Sequence, residues 1–356
     1  MKIKHNNLSP QAGNIMACSE RPRPEWLATA DKPMAITRDN LRSFAERAGR
    51  LFRFVPFILL VVAIFILRRE LAAIKWNEVL HTVSQVNASG LVCMFICAAI
   101  SYSCAGASDW LGARYMGSEL PVRKIVRTAV LARAFSNTIG VGMLSGGVIR
   151  FRYYTDDGVG PAIIARIIVF YSFGCAVGLL AISGLVLLLS RHQAEIPHFS
   201  SARPLAMLLL GLIVAYLVVV WRWRRPVRIL DFQIPPLGLG LACKHLPFAM
   251  LDWLAAAFAL YFLMPAIPGI SMDAIFSAFF LAVLVGHVSG VPSGIGIFEA
   301  AVIIFLGGGA AKDAVLPWLI LYRLMFCLIP FCMALLYVAT TLSGGIRSLT
   351  KQKPPA

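Results

Sequence analysis

The sequence predicts an all-α polytopic membrane protein with about eight transmembrane helices. Of its 356 residues, 59% are hydrophobic and only 14% are charged, and the mean hydropathy is +0.76. Too little polar surface therefore remains to cover a soluble globule. The apolar residues occur in runs that approach the roughly 20 residues of a spanning helix. Two apolar segments, one in each half, are broken by glycines, which predicts broken or re-entrant segments in two pseudo-symmetric halves.

Eight apolar runs are the predicted spans. Residues 1–50 precede them, and we expect a disordered cytosolic tail there because charged and proline residues alternate without a period. The helical transmembrane domain then covers residues 51–345, and residues 346–356 form a short cytosolic tail. The runs are Val55 to Leu67, Leu91 to Ser108, Ile163 to Leu189, Ala206 to Trp221, Phe248 to Met264, Ala274 to Val288, Ile295 to Leu306 and Val315 to Thr341.

The segment from Arg123 to Val148 is too polar to face lipid and too apolar for a loop. Such segments are tolerated at membrane depth only where protein or a watery cavity surrounds them. Basic clusters before the first run, after the fourth and after the last predict that these three places are cytoplasmic. All three agree, with both termini cytoplasmic, if this segment re-enters and returns to the side from which it came.

The first glycine-broken segment carries a candidate anion-binding face. Arg133 and Asn137 are four residues apart, so a helix places the guanidinium and the amide on one face, where they suit a phosphate. The alternative is that Arg133 pairs with a carboxylate and only holds helices together. Ser145, Gly146 and Gly147 then predict a helix restart, with the serine capping free amides and the glycines allowing close approach.

The second glycine-broken segment repeats this pattern in the other half. Pro292 ends the preceding helix, Ser293 is placed to cap, and Gly294 and Gly296 allow the chain to turn before the next helix. An exposed helix N-terminus at this depth attracts anions. We therefore expect both breaks to contribute to one substrate-binding site.

The two breaks end in residues of opposite charge. Arg150 follows Gly147 by three residues, and Glu299 follows Gly296 by three. This matched spacing suggests an ion pair between the halves that opens and closes an access path. The alternative is two glycine motifs that pack helices and carry unrelated charges.

Further ionisable residues lie in or beside the apolar runs and need partners there, because an unpaired charge at membrane depth is costly. We expect the two arginines among them to be counter-ions for carboxylates. Together with Glu299, the histidine and one aspartate form a candidate proton relay, and hydrogen bonding across a helix interface is the alternative. These residues are Asp109, Arg166, Asp252, His287 and Arg323.

Other functional classes find little support. The net charge of +16 arises from basic residues at helix ends, which suits anionic lipid headgroups and not nucleic acid. Cys93 and Cys97 share a helix face without a histidine or carboxylate cluster, so we expect no metal. No Walker loop is present, and no cofactor is expected. Trp221, Trp223 and Trp253 are expected in interfacial belts.

Three stretches together resemble the membrane region of bacterial lysylphosphatidylglycerol synthetase. They are ARAFSN at 132–137, SGGVIRFRYY at 145–154 and VPSGIGIFEA at 291–300. The resemblance covers about Arg50 to Ser348. Two departures are the long N-terminal tail and Ser293, which stands where glycine is common.

The resemblance implies a flippase of the bacterial inner membrane that carries aminoacyl-phosphatidylglycerol or another anionic phospholipid. The family's soluble aminoacyl-transferase domain is absent from this sequence, so enzyme activity is not expected, and a separately encoded lipid-synthesis enzyme is a candidate partner. Two alternatives remain. One is an intramembrane lipid-modifying enzyme with Glu299, His287 or Asp252 as acid or base. The other is a non-transporting partner in a lipid-synthesis complex.

Overall fold

The computed structural model is helical, apart from one small β-hairpin. It describes residues 68, 82–140, 142–190, 202–222, 227–229, 232–234, 237–265, 267–294 and 296–351. In the β-hairpin, β1 (Val227–Ile229) pairs with β2 (Phe232–Ile234) in antiparallel register. The α-helices are α1 (Ala88–Tyr115), α2 (Val122–Ile139), α3 (Gly142–Asp156), α4 (Pro161–Leu189), α5 (Arg203–Arg222), α6 (Leu239–Leu263), α7 (Met272–Ser289), α8 (Ile297–Phe305), α9 (Gly309–Tyr322) and α10 (Ile329–Lys351).

Among the described residues, six helical segments are long and apolar enough to cross a membrane. They coincide with six of the eight predicted spans, which confirms the all-α polytopic fold class. The predicted span Val55 to Leu67 lies outside the described residues. The six segments are Ala88–Tyr115, Pro161–Leu189, Arg203–Arg222, Leu239–Leu263, Met272–Ser289 and Ala314–Thr341.

The prediction of a span from Ile295 to Leu306 is wrong. Only the nine-residue α8 forms there. Its length is about 14 Å, whereas the hydrocarbon core is about 30 Å thick. Gly307 and Gly308 have φ angles of 117° and 72°, a left-handed backbone that ends the helix. α8 is instead the short return arm of a hairpin that begins with α7.

The segment expected to re-enter is a helical hairpin, here called the first hairpin, in which α2 runs inward and α3 runs back. The chain turns at Gly140, whose φ of 75° strains any residue with a Cβ. Gly146 lets the arms approach, since a Cβ at this position would lie 2.3 Å from Ser136 Oγ. An ion pair between Lys124 and Asp157 joins the open ends, so both arms start from the same end of the bundle.

The second hairpin consists of α7, a tip at residues 290–296 and α8. Gly290, Ser293, Gly294 and Gly296 in this tip have positive φ angles of 67°, 58°, 58° and 79°. Within the described ranges, Ser293 is the only residue other than glycine with a positive φ. A left-handed backbone favours glycine, which explains why glycine is suited to position 293, where this chain has a serine.

The two hairpins open toward opposite ends of the helix bundle. α4 follows α3 directly, so Pro161 lies at the open end of the first hairpin. The other end of α4 lies at the open end of the second hairpin, because Ser190 Oγ donates a hydrogen bond to Oδ2 of Asp273, at the start of α7 (3.4 Å). The tips meet in between, where Ser293 Oγ donates to the carbonyl oxygen of Asn137 (3.1 Å).

We call the end at which the first hairpin opens the basic end. The hydroxyls of Tyr153 and Thr341 share a hydrogen bond of 3.1 Å, which places the later part of α10 at this end too. The opposite end, where the second hairpin opens, carries Arg203 and Asp273 in its described part. Basic residues at the basic end are Arg114, Arg123, Lys124, Arg127, Arg152, Arg222 and Lys244.

The order of long helix, hairpin and long helix occurs twice. It runs through α1, the first hairpin and α4, and again through α6, the second hairpin and the helical segment that α9 forms with its continuation α10. α1 and α6 pack antiparallel: a Cβ on Gly90, at the start of α1, would lie 2.4 Å from the carbonyl oxygen of Phe262, near the end of α6. Opposed hairpins and antiparallel central helices are the arrangement expected of an inverted pair of halves.

Small residues allow the helices of this bundle to approach closely. In α4, a Cβ on Gly178 would lie 2.4 Å from Ala249 Cβ and 2.8 Å from the Ala249 carbonyl carbon of α6. Such contacts between backbones supply the dispersion energy that associates helices in lipid. The helix α6 also presents a run of small buried residues, namely Ala255, Ala256, Ala257 and Ala259.

One added methyl group tests the packing of α4 on α6. We expect Gly178→Ala to lower the free energy of unfolding by about 1–3 kcal/mol, as overpacking does in close-packed interiors, because the obstructing atoms include backbone. Gly211→Ala on α5 is the control, since nothing lies within 4 Å of its Cβ position. Thermal unfolding in detergent measures both, and equal midpoints for the two variants would contradict this packing.

Candidate functional site

A cavity of about 520 Å³ lies where the two hairpin tips meet. Arg323 borders it from the π-helical segment between α9 and α10, and its Nη2 donates a hydrogen bond to the carbonyl oxygen of Ser293 (3.2 Å). Short π-helical segments inside α-helices are frequent at functional sites. The predicted site residues that line the cavity are Arg133, Asn137, His287, Ser293, Gly294 and Arg323.

Arg133 is buried and forms an ion pair with Asp252 of α6, with 2.8 Å between Nη2 and Oδ1. Asp252 also accepts a hydrogen bond from the Ser101 hydroxyl of α1. The guanidinium lies over the ring of Trp253, 5.5 Å from its centroid. Arg133 therefore forms the ion pair with a carboxylate that is expected if it holds helices together, and the same arginine also faces the cavity.

Several polar atoms on the cavity wall lack hydrogen-bond partners in the described part of the chain. They are Nε of Arg133, Nδ2 of Asn137 and the hydroxyl of Tyr171. The Tyr102 hydroxyl lies near the Asn137 side chain, but its position does not allow a hydrogen bond with Nδ2. Leaving a buried donor unsatisfied costs about 1–3 kcal/mol, so these donors favour a water or ligand oxygen in the cavity.

Glu299 has two roles next to the second tip. Its Oε1 lies 2.9 Å from Nε of Arg323, and its Oε2 accepts a hydrogen bond from the backbone amide of Gly296 (2.8 Å). The carboxylate therefore caps α8 and neutralises Arg323. Glu299 is thus the carboxylate counter-ion of Arg323 in the structure.

Arg150 lies behind the cavity wall, paired with Asp109 of α1. Its Nε is 2.8 Å from Oδ2 of Asp109, and both side chains are fully enclosed, at 1% and 0% exposure. The guanidinium stacks on the ring of Tyr171, 4.0 Å from the centroid. Tyr171 faces the cavity, so one aromatic ring separates this ion pair from the cavity.

The expected ion pair between Arg150 and Glu299 is wrong. Arg150 pairs with Asp109, and Glu299 pairs with Arg323. The physical reason is the opposed orientation of the hairpins. α3 and α8 run away from the meeting point of the tips in opposite directions, so residues at matching distances after the two breaks diverge.

The small residues of the first break act in packing. Ser145 was expected to cap free amides, but its Oγ donates to the carbonyl oxygen of Gly140 (2.9 Å), because α3 already begins at Gly142. Gly146 provides the close approach of α2 and α3, and a Cβ on Gly147 would meet Ile168 of α4 at 3.5 Å. The prediction that Ser145 caps free amides is therefore wrong, whereas the glycines do allow the helices to approach one another closely.

The candidate proton relay is not assembled in the structure. His287 contacts the carbonyl oxygen of Val283 through Nδ1 (2.9 Å), and its ring packs edge-on against Trp253 at 5.5 Å. Asp252 is paired with Arg133 and not with Arg166. Within the described residues, Nε of Arg166 is buried without a hydrogen-bond partner.

Two cavity residues were missed or misplaced by the sequence reasoning. Trp253 was expected at a membrane interface, but it lines the cavity and donates from Nε1 to the carbonyl oxygen of Cys175 (3.0 Å). Tyr171 lies in a predicted span without a neighbouring charge to mark it. Its spacing of four residues from Cys175, which places both on one helix face, was the available signal.

No group of histidine, cysteine, aspartate or glutamate residues in the described ranges could hold a metal ion. The polar groups of the cavity are donors and neutralised ion pairs, in a wall that is mostly apolar. This arrangement suits an anionic oxygen attached to an apolar molecule.

Comparisons with known proteins align most of the chain. No family model matches it. An uncharacterized protein of Synechocystis sp. is 30% identical over 276 residues, which are 76% of this chain and 85% of that protein. Phosphatidylglycerol lysyltransferase of Staphylococcus aureus is 27% identical over 292 residues, which are 79% of this chain and 32% of that protein. This chain therefore spans about a third of the lysyltransferase.

The buried pair of Arg150 and Asp109 predicts strongly non-additive mutations. Arg150→Met leaves an uncompensated buried carboxylate, and we expect the free energy of unfolding to fall by about 3–5 kcal/mol. The double variant Asp109→Leu/Arg150→Met removes both charges and should recover most of that loss. Denaturant unfolding in detergent micelles measures the cycle, and additive losses would show that the two side chains do not interact.

Proposed function

We propose that this chain, which belongs to the same family as the Synechocystis protein and is homologous to the membrane part of phosphatidylglycerol lysyltransferase, moves an anionic phospholipid between the two leaflets of its membrane. The single observation that carries the proposal is the central cavity with unsatisfied donors. The lysyltransferase acts on phosphatidylglycerol by its name, and we extend to this chain only the class of anionic phospholipids.

The donors in the cavity match a phosphodiester. Nε of Arg133 and Nδ2 of Asn137 both lack partners in the described residues, and they lie one helical turn apart on α2. A phosphate presents several acceptor oxygens and a negative charge, which both groups bind well. Because Arg133 keeps its bond to Asp252 through Nη2, Nε is available without breaking the ion pair.

The size and mouth of the cavity suit a headgroup whose acyl chains stay outside. A volume of about 520 Å³ falls in the usual range of small-molecule sites, about 300–1,000 Å³. Gly290 and Val291 line the cavity and are exposed, so they form its mouth. Val288, next to the mouth, is 88% exposed, and such a surface favours contact with acyl chains.

The opposed hairpins offer a path between the leaflets. Each hairpin reaches the cavity from one end of the bundle, so moving one hairpin opens the cavity toward that end. Binding at the meeting point of two inverted halves is typical of transporters that alternate access. A phospholipid that moves down its own gradient through this site needs no energy source.

We further propose a cytoplasmic orientation for the basic end. The exposed basic residues of α2 and α3 lie there, as does Arg222 at the end of α5, and such residues remain on the cytoplasmic side. The later part of α10 lies at the same end, so the C-terminus would be cytoplasmic. A bacterial inner membrane and a separately encoded lipid-synthesis enzyme as partner complete the proposal.

Purified protein in liposomes tests the proposal. Fluorescent anionic and zwitterionic phospholipids report movement between leaflets by chemical quenching from outside. We expect wild type to move anionic lipid, and Arg133→Gln and Asn137→Ala to slow it at least about tenfold, which is about 1.4 kcal/mol of lost stabilisation. Arg152→Gln is the control, since this exposed arginine pairs with Asp156 on α3 away from the cavity.

Two outcomes would overturn the proposal. Folded wild type that moves no lipid would contradict translocation. Mass spectrometry of the recovered lipid distinguishes the remaining classes, because a chemical change would identify an intramembrane enzyme. If the lipid is chemically unchanged and does not move, a non-transporting partner is favoured.

A further inference from the structure

A chain of buried polar side chains leads away from the cavity toward the basic end. It begins at Tyr171 on the cavity wall and continues to Arg150, whose guanidinium stacks on the Tyr171 ring. Asp109 is paired with Arg150. Tyr154, one helical turn beyond Arg150 on α3, is fully buried and lies within electrostatic range of Asp109 and Arg150. Three helices, α1, α3 and α4, thus contribute to one enclosed polar cluster.

The members of this cluster do not satisfy one another. In the part of the chain that the structure describes, the atoms Asp109 Oδ1, Arg150 Nη2 and the hydroxyls of Tyr154 and Tyr171 are buried without hydrogen-bond partners. Each unsatisfied buried atom costs about 1–3 kcal/mol, and more when charged. Buried waters typically make about three hydrogen bonds to such groups, so a few waters between these side chains would satisfy all four.

The cluster also reaches the protein surface. Asp157 acts electrostatically on Tyr154 and lies near the end of the first hairpin, where it pairs with Lys124. The Asp157 side chain is 15% exposed and that of Lys124 is 45% exposed. The sequence of groups from Tyr171 to Asp157 therefore connects the cavity to the solvent at the basic end.

We propose that Tyr171, Arg150, Asp109 and Tyr154 hold a line of water molecules that carries protons between the central cavity and the basic end. Asp109 is the proton-carrying group. It takes a proton at Oδ1 from a protonated water and passes it to the next water, which becomes protonated in turn, while Arg150 stays charged. The two tyrosine hydroxyls each accept one hydrogen bond and donate another, and no other reactant is needed.

The charges around this line keep a proton from being trapped. Arg150 is the charged group that acts on Asp109. Arg150, Arg133 and Asp252 are the charged groups near Tyr171. Because each arginine is paired with its own aspartate, the line is close to neutral over its length. A neutral path has no deep electrostatic minimum for a passing cation.

Hydroxyl-radical footprinting tests directly whether water lies between these side chains, and it does not depend on lipid transport. Radicals formed by X-rays from bound water label adjacent side chains, including buried ones. We expect Tyr154 and Tyr171 to be labelled in folded protein. Phe331 is the internal control, because this aromatic ring is also fully buried but is surrounded by an apolar cluster away from the cavity lining. Labelling of Tyr154 no faster than that of Phe331 would overturn the proposal.

A pH gradient across liposomes tests whether protons move along this line. This second experiment rests on the proposed lipid movement. We expect the gradient to change the rate of lipid movement in wild type, and Tyr154→Phe to lose this response while basal movement without a gradient persists. Tyr153→Phe, whose hydroxyl faces Thr341, should respond like wild type. Basal movement with no gradient response in wild type would overturn the proton path alone, whereas absent basal movement would contradict the proposed function.

Discussion

An unpaired charge at membrane depth costs several kcal/mol, and this constraint organises the interior of the bundle. Each of the three arginines around the centre has a carboxylate partner on another helical segment. Apolar side chains alone would let helices slide past one another in lipid, because lipid tails are as apolar as the side chains. An ion pair adds a fixed depth and a fixed neighbour. The pairs are Arg133 with Asp252, Arg150 with Asp109, and Arg323 with Glu299.

The three pairs differ in what they connect. Arg150 ties the return arm of the first hairpin to α1 in its own half, and Glu299 ties the return arm of the second hairpin to the π-helical segment that follows α9. Only Arg133 reaches across, from the first hairpin to Asp252 of the second half. This crossing pair lies on the cavity wall. A relative movement of the two halves would therefore strain one ion pair while the other two keep each half intact.

The sequence predicted the elements of this fold better than their partners. Hydropathy and glycine breaks located six spans and the breaks at both hairpin tips, because span length and backbone freedom are local properties. The pairing of Arg150 with Asp109 was not predictable, since matched spacing carries no information on which way a hairpin points. Trp253 was misplaced for a related reason: an aromatic residue in an apolar helix suits an interface and a cavity equally well, and only the neighbouring helices decide.

Under the proposed function, the neutral ion pairs would allow one site both to bind and to release an anion. A cavity with unpaired arginines would hold a phosphate too tightly to let it go, whereas translocation requires binding that is favourable on entry and weak enough for exit. At the cavity, Asp252 already occupies Nη2 of Arg133, and Nε remains for a second acceptor. A phosphate would then share the guanidinium with a carboxylate, and repulsion between the two anions would limit its affinity. Under the proposed function, the carboxylates that stabilise the bundle would therefore also promote release of the lipid.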